Sequence, residues 1–138
     1  MTIDNGQLTI SANERSAIIK IGGTEYELIL TTLATKQIGK RYGGLGNLSE
    51  KLMKSDSFEQ ALDEVTFLIT LLANQGILIH NLKNKDNPKP LLTDEEVELL
   101  TSPMELAEYK SAIMECMYRG TKREIFSEEE TSKNAETG

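Results

Sequence analysis

The apolar stripe between Phe58 and Ala73 constrains the fold of this chain more than any other feature. Ser57 precedes it, and Gln60 three residues further on completes a capping box that marks a helix start. Apolar residues then recur at helical spacing over most of the helix circumference: Phe58, Ala61, Leu62, Val65, Phe67, Leu68, Ile69, Leu71, Leu72 and Ala73. Such a helix must be buried almost all round. The sequence therefore predicts a long central helix that ends or weakens at residues 74–76, with a further turn over residues 77–82 as the alternative.

A β-hairpin is predicted before this helix. Residues 17–21 and 24–30 are rich in β-formers, and Gly22-Gly23 between them supply the positive φ angles of a two-residue turn. The resulting register gathers one apolar face. Its members are Ala17, Ile19, Ile21, Tyr26, Leu28 and Leu30. Because an isolated hairpin is only marginally stable, this face must pack on the helices or on another subunit.

Four shorter helices are predicted around the central one. Gly43 offers the left-handed residue that ends the first of them, after a cap at Thr32. Thr93 and Ser102 open capping boxes for the last two. The predicted ranges are 33–42, 47–54, 94–100 and 103 to about Gly120. A loop with two prolines covers residues 83–90.

These elements predict a mainly α (α+β) fold, in which an N-terminal β-hairpin is followed by a small bundle of about four to five helices. We expect residues 1–14 to form a flexible segment or a short strand, and 15–122 to form a single helical domain. Residues 123–138 are predicted to be an acidic disordered tail, because the last twelve of them carry four Glu against one Lys and no large apolar residue.

Composition limits the function. The net charge of -7 disfavours generic binding to nucleic-acid phosphates. A single cysteine, Cys116, excludes an internal disulfide and indicates a reducing, cytoplasmic environment. The longest apolar-rich run, Val65–Ala73, is too short to span a bilayer, so no membrane association is predicted.

The sequence offers no constellation that supports catalysis. His80 is the only histidine, and Asn81 is the only nearby residue that could orient it as a general base. Gly43–Gly46 lacks the Gly-Lys-Ser/Thr ending of a phosphate loop, and the acids at 94–96 are explained as first-turn capping residues. Cys116 is assigned to packing. We therefore expect no enzyme activity, no metal and no cofactor.

A basic group favours one alternative function. Lys36, Lys40 and Arg41 lie in the first predicted helix and would allow a small DNA-binding regulatory protein, although the rest of the chain is acidic.

The apolar helices suggest two interaction surfaces. The residues hypothesised to bind a partner lie in the central and last helices: Phe58, Leu62, Val65, Phe67, Leu68, Ile69, Leu71, Leu72, Ile113, Met114 and Met117. Flexible Met side chains suit surfaces that accept varied apolar helices. The hairpin residues hypothesised to mediate oligomerisation are Ile19, Ile21, Tyr26 and Leu28. How much of the 58–73 stripe serves the chain's own core is left open by the pattern.

One segment resembles a known family. The run YELILTTLATKQIGKRYGGL, residues 26–45, resembles the opening of the small tail assembly chaperones of long-tailed bacteriophages and prophages. These show a strand, a basic helix that stops at Tyr-Gly or Phe-Gly, and then a Leu-rich helix. By this pattern the resemblance covers roughly residues 18–100.

The resemblance implies a non-enzymatic, self-associating chaperone of the bacterial cytoplasm. Its implied partners are the tape measure protein, whose long apolar helices it would bind and keep soluble, and the tail tube protein. It also implies that the chaperone is absent from the mature virion. A minor structural subunit of a tail or virion is a further alternative in the same context.

Overall fold

The computed structural model describes the backbone of residues 16–54 and 57–137, and side chains within 17–120 except those of 53, 55 and 56. The strands are β1 (Ser16–Ile21) and β2 (Thr24–Ile29). The helices are α1 (Thr32–Tyr42), α2 (Leu45–Met53), α3 (Phe58–Lys83), α4 (Asp94–Leu100) and α5 (Pro103–Thr137). The predicted fold class, a hairpin followed by a mainly helical bundle, is confirmed. The predicted N-terminal segment 1–14 lies outside the described residues.

The hairpin forms as the glycine pair predicts. Strands β1 and β2 are antiparallel and pair Ile21 with Thr24 and Ala17 with Leu28. Gly22 and Gly23 have φ angles of 58° and 86°, which residues with a Cβ rarely adopt. The predicted apolar face is turned into the protein, where its strand residues are buried or, at Tyr26, partly buried.

Helix α5 runs along the hairpin from its turn to its open end. Near the turn, the Tyr109 hydroxyl donates a hydrogen bond to the carbonyl oxygen of Lys20. Two turns on, the Cys116 thiol donates to the carbonyl oxygen of Leu28 at 3.2 Å. At Gly120 the helix is so close that an added Cβ would lie 3.0 Å from Leu30. Three contacts along one helix face thus fix the hairpin on α5.

Helix α1 lies antiparallel to α3. At one end, Thr31 caps α1 by accepting from the Ala34 amide at 3.0 Å and donates its hydroxyl proton to the side chain of Gln75. At the other end, the Tyr42 hydroxyl donates to Glu64. The two contacts are eleven residues apart on each helix, from 31 to 42 on α1 and from 75 to 64 on α3, as antiparallel helices require. The cap stands one residue before the predicted Thr32, and Gly43 ends the helix as predicted, with φ 88°.

Helix α3 does not end or weaken at residues 74–76, which corrects the first expectation; it follows the alternative in which residues 77–82 continue it. It continues through Gly76 to Lys83. A Cβ at Gly76 would lie 3.4 Å from the Glu27 carbonyl oxygen, so this glycine permits close packing against the backbone of β2. A glycine inside a helix costs only about 1 kcal/mol. Burial of residues on both sides, including Ala73 and Ile77, offsets that cost.

A proline-containing strap, residues 84–92, returns along the C-terminal half of α3. Asn74 accepts from the Leu92 amide at 2.8 Å and donates to its carbonyl at 2.9 Å. Asn81 pairs with the backbone of Lys89 at the same two distances. Both asparagines thereby bind the strap as a neighbouring strand would.

Both predicted C-terminal capping boxes are present, but the predicted end of the last helix near Gly120 is wrong. Helix α5 continues to Thr137, so residues 123–137 are helical and not, as predicted, disordered. Gly120 is not among the glycines with positive φ. The residues after it are rich in Lys, Arg and Glu, which are good helix formers. A lack of apolar residues predicts that a segment adds little to a core, not that it lacks helix.

The core lies where the hairpin, α3 and α5 meet, with contributions from α1, α2 and α4. Its fully buried large side chains include Leu28, Ile38, Leu48, Leu72 and Ile113. Aliphatic residues dominate because the chain has no Trp and only three Phe.

Candidate functional site

The structure places the eleven hypothesised partner-binding residues in different environments. Six are buried in the core: Val65, Leu68, Ile69, Leu72, Ile113 and Met117. Four are partly buried against it: Leu62, Phe67, Leu71 and Met114. Phe58 alone in this set is well exposed, at 71%. Partner contact by these residues stays a prediction, and most of the 58–73 stripe is used by the chain's own core.

The hairpin residues hypothesised to mediate oligomerisation also face inward. Ile19, Ile21 and Leu28 are buried, and Tyr26 is partly buried against the core. Oligomerisation through them stays a prediction. Helices α3 and α5 already pack against the hairpin, so a neighbouring subunit would have to displace them to reach this face.

The exposed apolar side chains lie elsewhere. Six large aliphatic residues between positions 78 and 104 are exposed, and we term this set, which is defined by sequence position, the apolar surface: Leu78, Leu82, Leu91, Leu99, Leu100 and Met104. They lie on the end of α3, on the strap, on α4 and on the first turn of α5. The sequence signal for this exposure was the pair Leu99-Leu100, which follows Val97 on α4. Two adjacent positions of a short helix cannot both face the core, and Val97 already does.

The link between α4 and α5, residues 99–104, carries the most exposed part of the apolar surface. Leu99 is 77% exposed, Leu100 51% and Met104 75%. We term this segment the α4–α5 junction. The Thr101 hydroxyl donates to the Val97 carbonyl at 2.6 Å, and the Ser102 hydroxyl accepts from the Glu105 amide at 3.3 Å. These bonds fix the exposed side chains on a defined backbone.

The predicted basic group divides in two. Lys36 and Lys40 are exposed on α1, whereas Arg41 turns towards α3. The Arg41 guanidinium lies 4.2 Å from the centre of the Phe67 ring, and its Nε donates to Glu64 Oε1 at 3.3 Å. Arg41 is therefore engaged within the fold.

Glu64 is a buried carboxylate and a candidate functional residue that the sequence did not indicate. It is buried, and it accepts hydrogen bonds from Arg41 and from the Tyr42 hydroxyl. Burial, and then the bond to Glu64, raise the pKa of Tyr42 above its usual 10.0. The available signal was an acidic residue four positions before the buried Leu68, on the apolar side of a helix.

An open cleft of about 390 Å³ lies beside this cluster, between α1 and α2. Its lining residues are Arg41, Tyr42, Asn47, Glu50, Lys51 and Lys54. Three of these six residues are cationic and one is acidic, in contrast to the acidic net charge of the chain.

The residues with reactive side chains have structural surroundings. Burial raises the pKa of the Cys116 thiol to about 12, so it is protonated at neutral pH. His80 Nδ1 lies 3.4 Å from Asn84 Nδ2, and its Nε2 has no hydrogen-bond partner in the described part of the chain. No group of three or more His, Cys, Asp or Glu suited to a metal occurs among the described residues.

Among the described helices, only α3 is long and apolar enough to cross a membrane, judged by length and composition. Half of its most apolar window is buried inside the protein. Its buried residues include Glu64 and Gln75, which have partners within the fold.

Comparison of the chain with protein-family models, with curated proteins and with solved structures finds no match in any of the three.

Proposed function

We propose that this protein is a tail assembly chaperone of a long-tailed bacteriophage or prophage. It binds apolar helices of the tape measure protein, keeps them soluble, contacts the tail tube protein and assists tail tube assembly. It is not an enzyme, it forms homo-oligomers in the bacterial cytoplasm, and it is absent from the mature virion.

The observation that carries this proposal is the apolar surface. Six large aliphatic side chains are exposed between residues 78 and 104, while the core is filled by others. A partner-binding surface would explain why exposed aliphatic side chains are concentrated in this part of the sequence. Leu and Met side chains on helices adapt to varied apolar partners. The resemblance of residues 26–45 to the chaperone family supports the choice of partner.

Co-expression with the tape measure protein encoded in the same genome tests the proposal. We expect the soluble fraction of the tape measure protein to rise and the two proteins to elute together in size-exclusion chromatography. If the tape measure protein stays insoluble and no complex elutes, the proposal is rejected. Detection of the protein in purified particles would instead support a structural subunit. A DNA gel shift that persists at about 200 mM salt would support a regulator.

A further inference from the structure

We infer that the α4–α5 junction is the docking site for the partner helix, and that this helix is amphipathic and carries Lys or Arg beside its apolar face. This inference rests on the proposed function, because it names where the chaperone binds and which helices it selects.

The junction concentrates apolar exposure in a short stretch. Leu99, Leu100 and Met104 lie within six residues on the last turn of α4 and the first turn of α5. Leu100 also contacts the hairpin turn, since its Cδ2 lies 3.3 Å from the position of a Cβ on Gly22. The exposed side chains therefore stand on a turn that is braced by the hairpin.

The junction is also held in place before any partner arrives. Each helix begins with a reciprocal capping box: Thr93 with Glu96, and Ser102 with Glu105. The backbone amides of Thr93 and Ser102 each donate to the box carboxylate at 2.9 Å. A site whose geometry is fixed in the free protein loses little conformational entropy on binding.

The charge around the junction selects the partner. Between Lys89 and Lys110 the chain has six acidic residues and no Lys or Arg. Two of the six, Glu96 and Glu105, are used in the capping boxes. The other four are exposed and form no ion pair within the described part of the chain: Asp94, Glu95, Glu98 and Glu108. A helix with cations beside its apolar face complements these carboxylates, whereas acidic flanks are repelled.

Leu82 provides an internal comparison. It is 70% exposed, close to the value for Leu99, but Lys83, Lys85 and Lys89 follow it in the sequence, with Asp86 as the one acidic residue among them. Apolar exposure alone would make both positions equivalent. Charge complementarity makes only the junction suitable for a basic amphipathic helix.

Three synthetic peptides test the inference on the full-length protein. One is a 20-residue Leu/Ala helix with Lys flanking its apolar face, the second has Glu at the flanking positions, and the third is a scrambled form of the Lys peptide. Binding is measured by fluorescence anisotropy at several salt concentrations. We expect the Lys peptide to bind at least about tenfold more tightly than either of the others, with a preference that weakens as salt screens the charges.

Matched variants locate the site. L99S/M104S should weaken binding of the Lys peptide about tenfold or more, as loss of central apolar contacts does, whereas L82S should change it less than about twofold. E95Q/E98Q should weaken it about threefold and flatten the salt dependence. E59Q/D63N removes the same two charges from exposed positions on α3 and should have no such effect.

The outcomes separate this inference from the proposed function. Equal effects of the junction variants and their controls, or equal binding of the Lys and Glu peptides, would overturn the inference. So would a wild-type protein that binds neither peptide. In each case the co-expression result decides independently whether the proposed function stands, since that test requires no particular binding site.

Discussion

Glu64 shows how a single side chain joins two helices. Its carboxylate lies in the interface of α1 and α3 and accepts from both Arg41 and Tyr42. The Tyr42 and Phe67 rings meet edge to face beside this carboxylate, with their centres 6.4 Å apart. A buried carboxylate is stable only with such partners, because an unpaired charge in an apolar environment is costly.

Removing this carboxylate should destabilise the protein. We expect Glu64→Ala to lower the free energy of unfolding by about 2–3 kcal/mol, because Arg41 and Tyr42 both lose their acceptor. Tyr42→Phe should cost about 1 kcal/mol, the usual net value of one hydrogen bond. Urea denaturation measures both. Asp63→Ala, at an exposed neighbouring position, is the control and should change stability by less than about 0.5 kcal/mol.

Ionisation of the Cys116 thiol should lower the stability of the folded protein at alkaline pH. The folded state raises the pKa of its thiol from 9.0 to about 12, chiefly by burial. Above pH 9 the unfolded chain therefore loses a proton that the folded protein retains, so stability must fall as pH rises. Between pH 9 and 12 the slope from this group should approach about 1.4 kcal/mol per pH unit.

Urea midpoints between pH 7 and 11 test this expectation. Stability should be constant from pH 7 to about 8.5 and fall above pH 9. In Cys116→Ala the fall should begin about one unit higher, where tyrosines take over: burial also raises the pKa values of Tyr42 and Tyr109 above 10.0. An unchanged onset in the variant would show that Cys116 is accessible to solvent in the folded state.

At the scale of elements, two helical glycines should respond in opposite ways to the same substitution. Gly39 in α1 has open space where a Cβ would stand, whereas Gly120 in α5 would place a Cβ 3.0 Å from Leu30. Gly39→Ala should stabilise the protein by about 1 kcal/mol through helix propensity. Gly120→Ala should gain nothing or lose stability, because Leu30 must move. Thermal denaturation of the two variants gives the comparison, and equal gains would mean that α5 does not pack on Leu30.

The elements that sequence predicts correctly are those with local signals. Gly22-Gly23 determine the hairpin register, and Ser57, Thr93 and Ser102 mark helix starts through bonds within four residues. Where α3 continues through Gly76 it lies against β2, and where α5 continues through Gly120 it lies against Leu30, both distant in sequence. Whether a glycine ends a helix or permits close packing is decided by partners that a local pattern does not contain.

The candidate site was harder to predict than the fold, for a related reason. The periodicity of residues 58–73 shows that the stripe must be covered, but not by what, and the structure covers most of it with the hairpin and α5. The exposed residues Leu99, Leu100 and Met104 lie in short helices, where a few positions cannot define a face. Their exposure depends on the placement of α4 on α3, which is a property of the whole fold.

At the scale of the molecule, the long helix α5 divides into two parts. Its last core residue among the described side chains is Met117, and about 26 Å of helix follows Gly120 at 1.5 Å per residue. We expect a chain ending at Lys122 to keep its melting temperature within about 2 °C of the full-length value, because the core is intact. Circular dichroism should show a loss of helical signal of about fifteen residues. A large fall in melting temperature would show that residues 123–138 contribute to the core.

The strap has a consequence for which changes of length this chain tolerates. Asn74 and Asn81 are seven helical residues apart, about 10.5 Å, and the residues they bind, Leu92 and Lys89, are three extended residues apart, about 10 Å. Lys89 also supplies the only amide between Pro88 and Pro90, since proline has none. One residue inserted between 89 and 92 would lengthen the distance from Lys89 to Leu92, so that Asn74 could no longer pair with Leu92 while Asn81 pairs with Lys89. Insertions at 85–87 precede Lys89, so they leave the pairing of both asparagines with the strap intact. Natural variants of this protein should therefore differ in length on one side of Pro88 and keep a fixed spacing on the other.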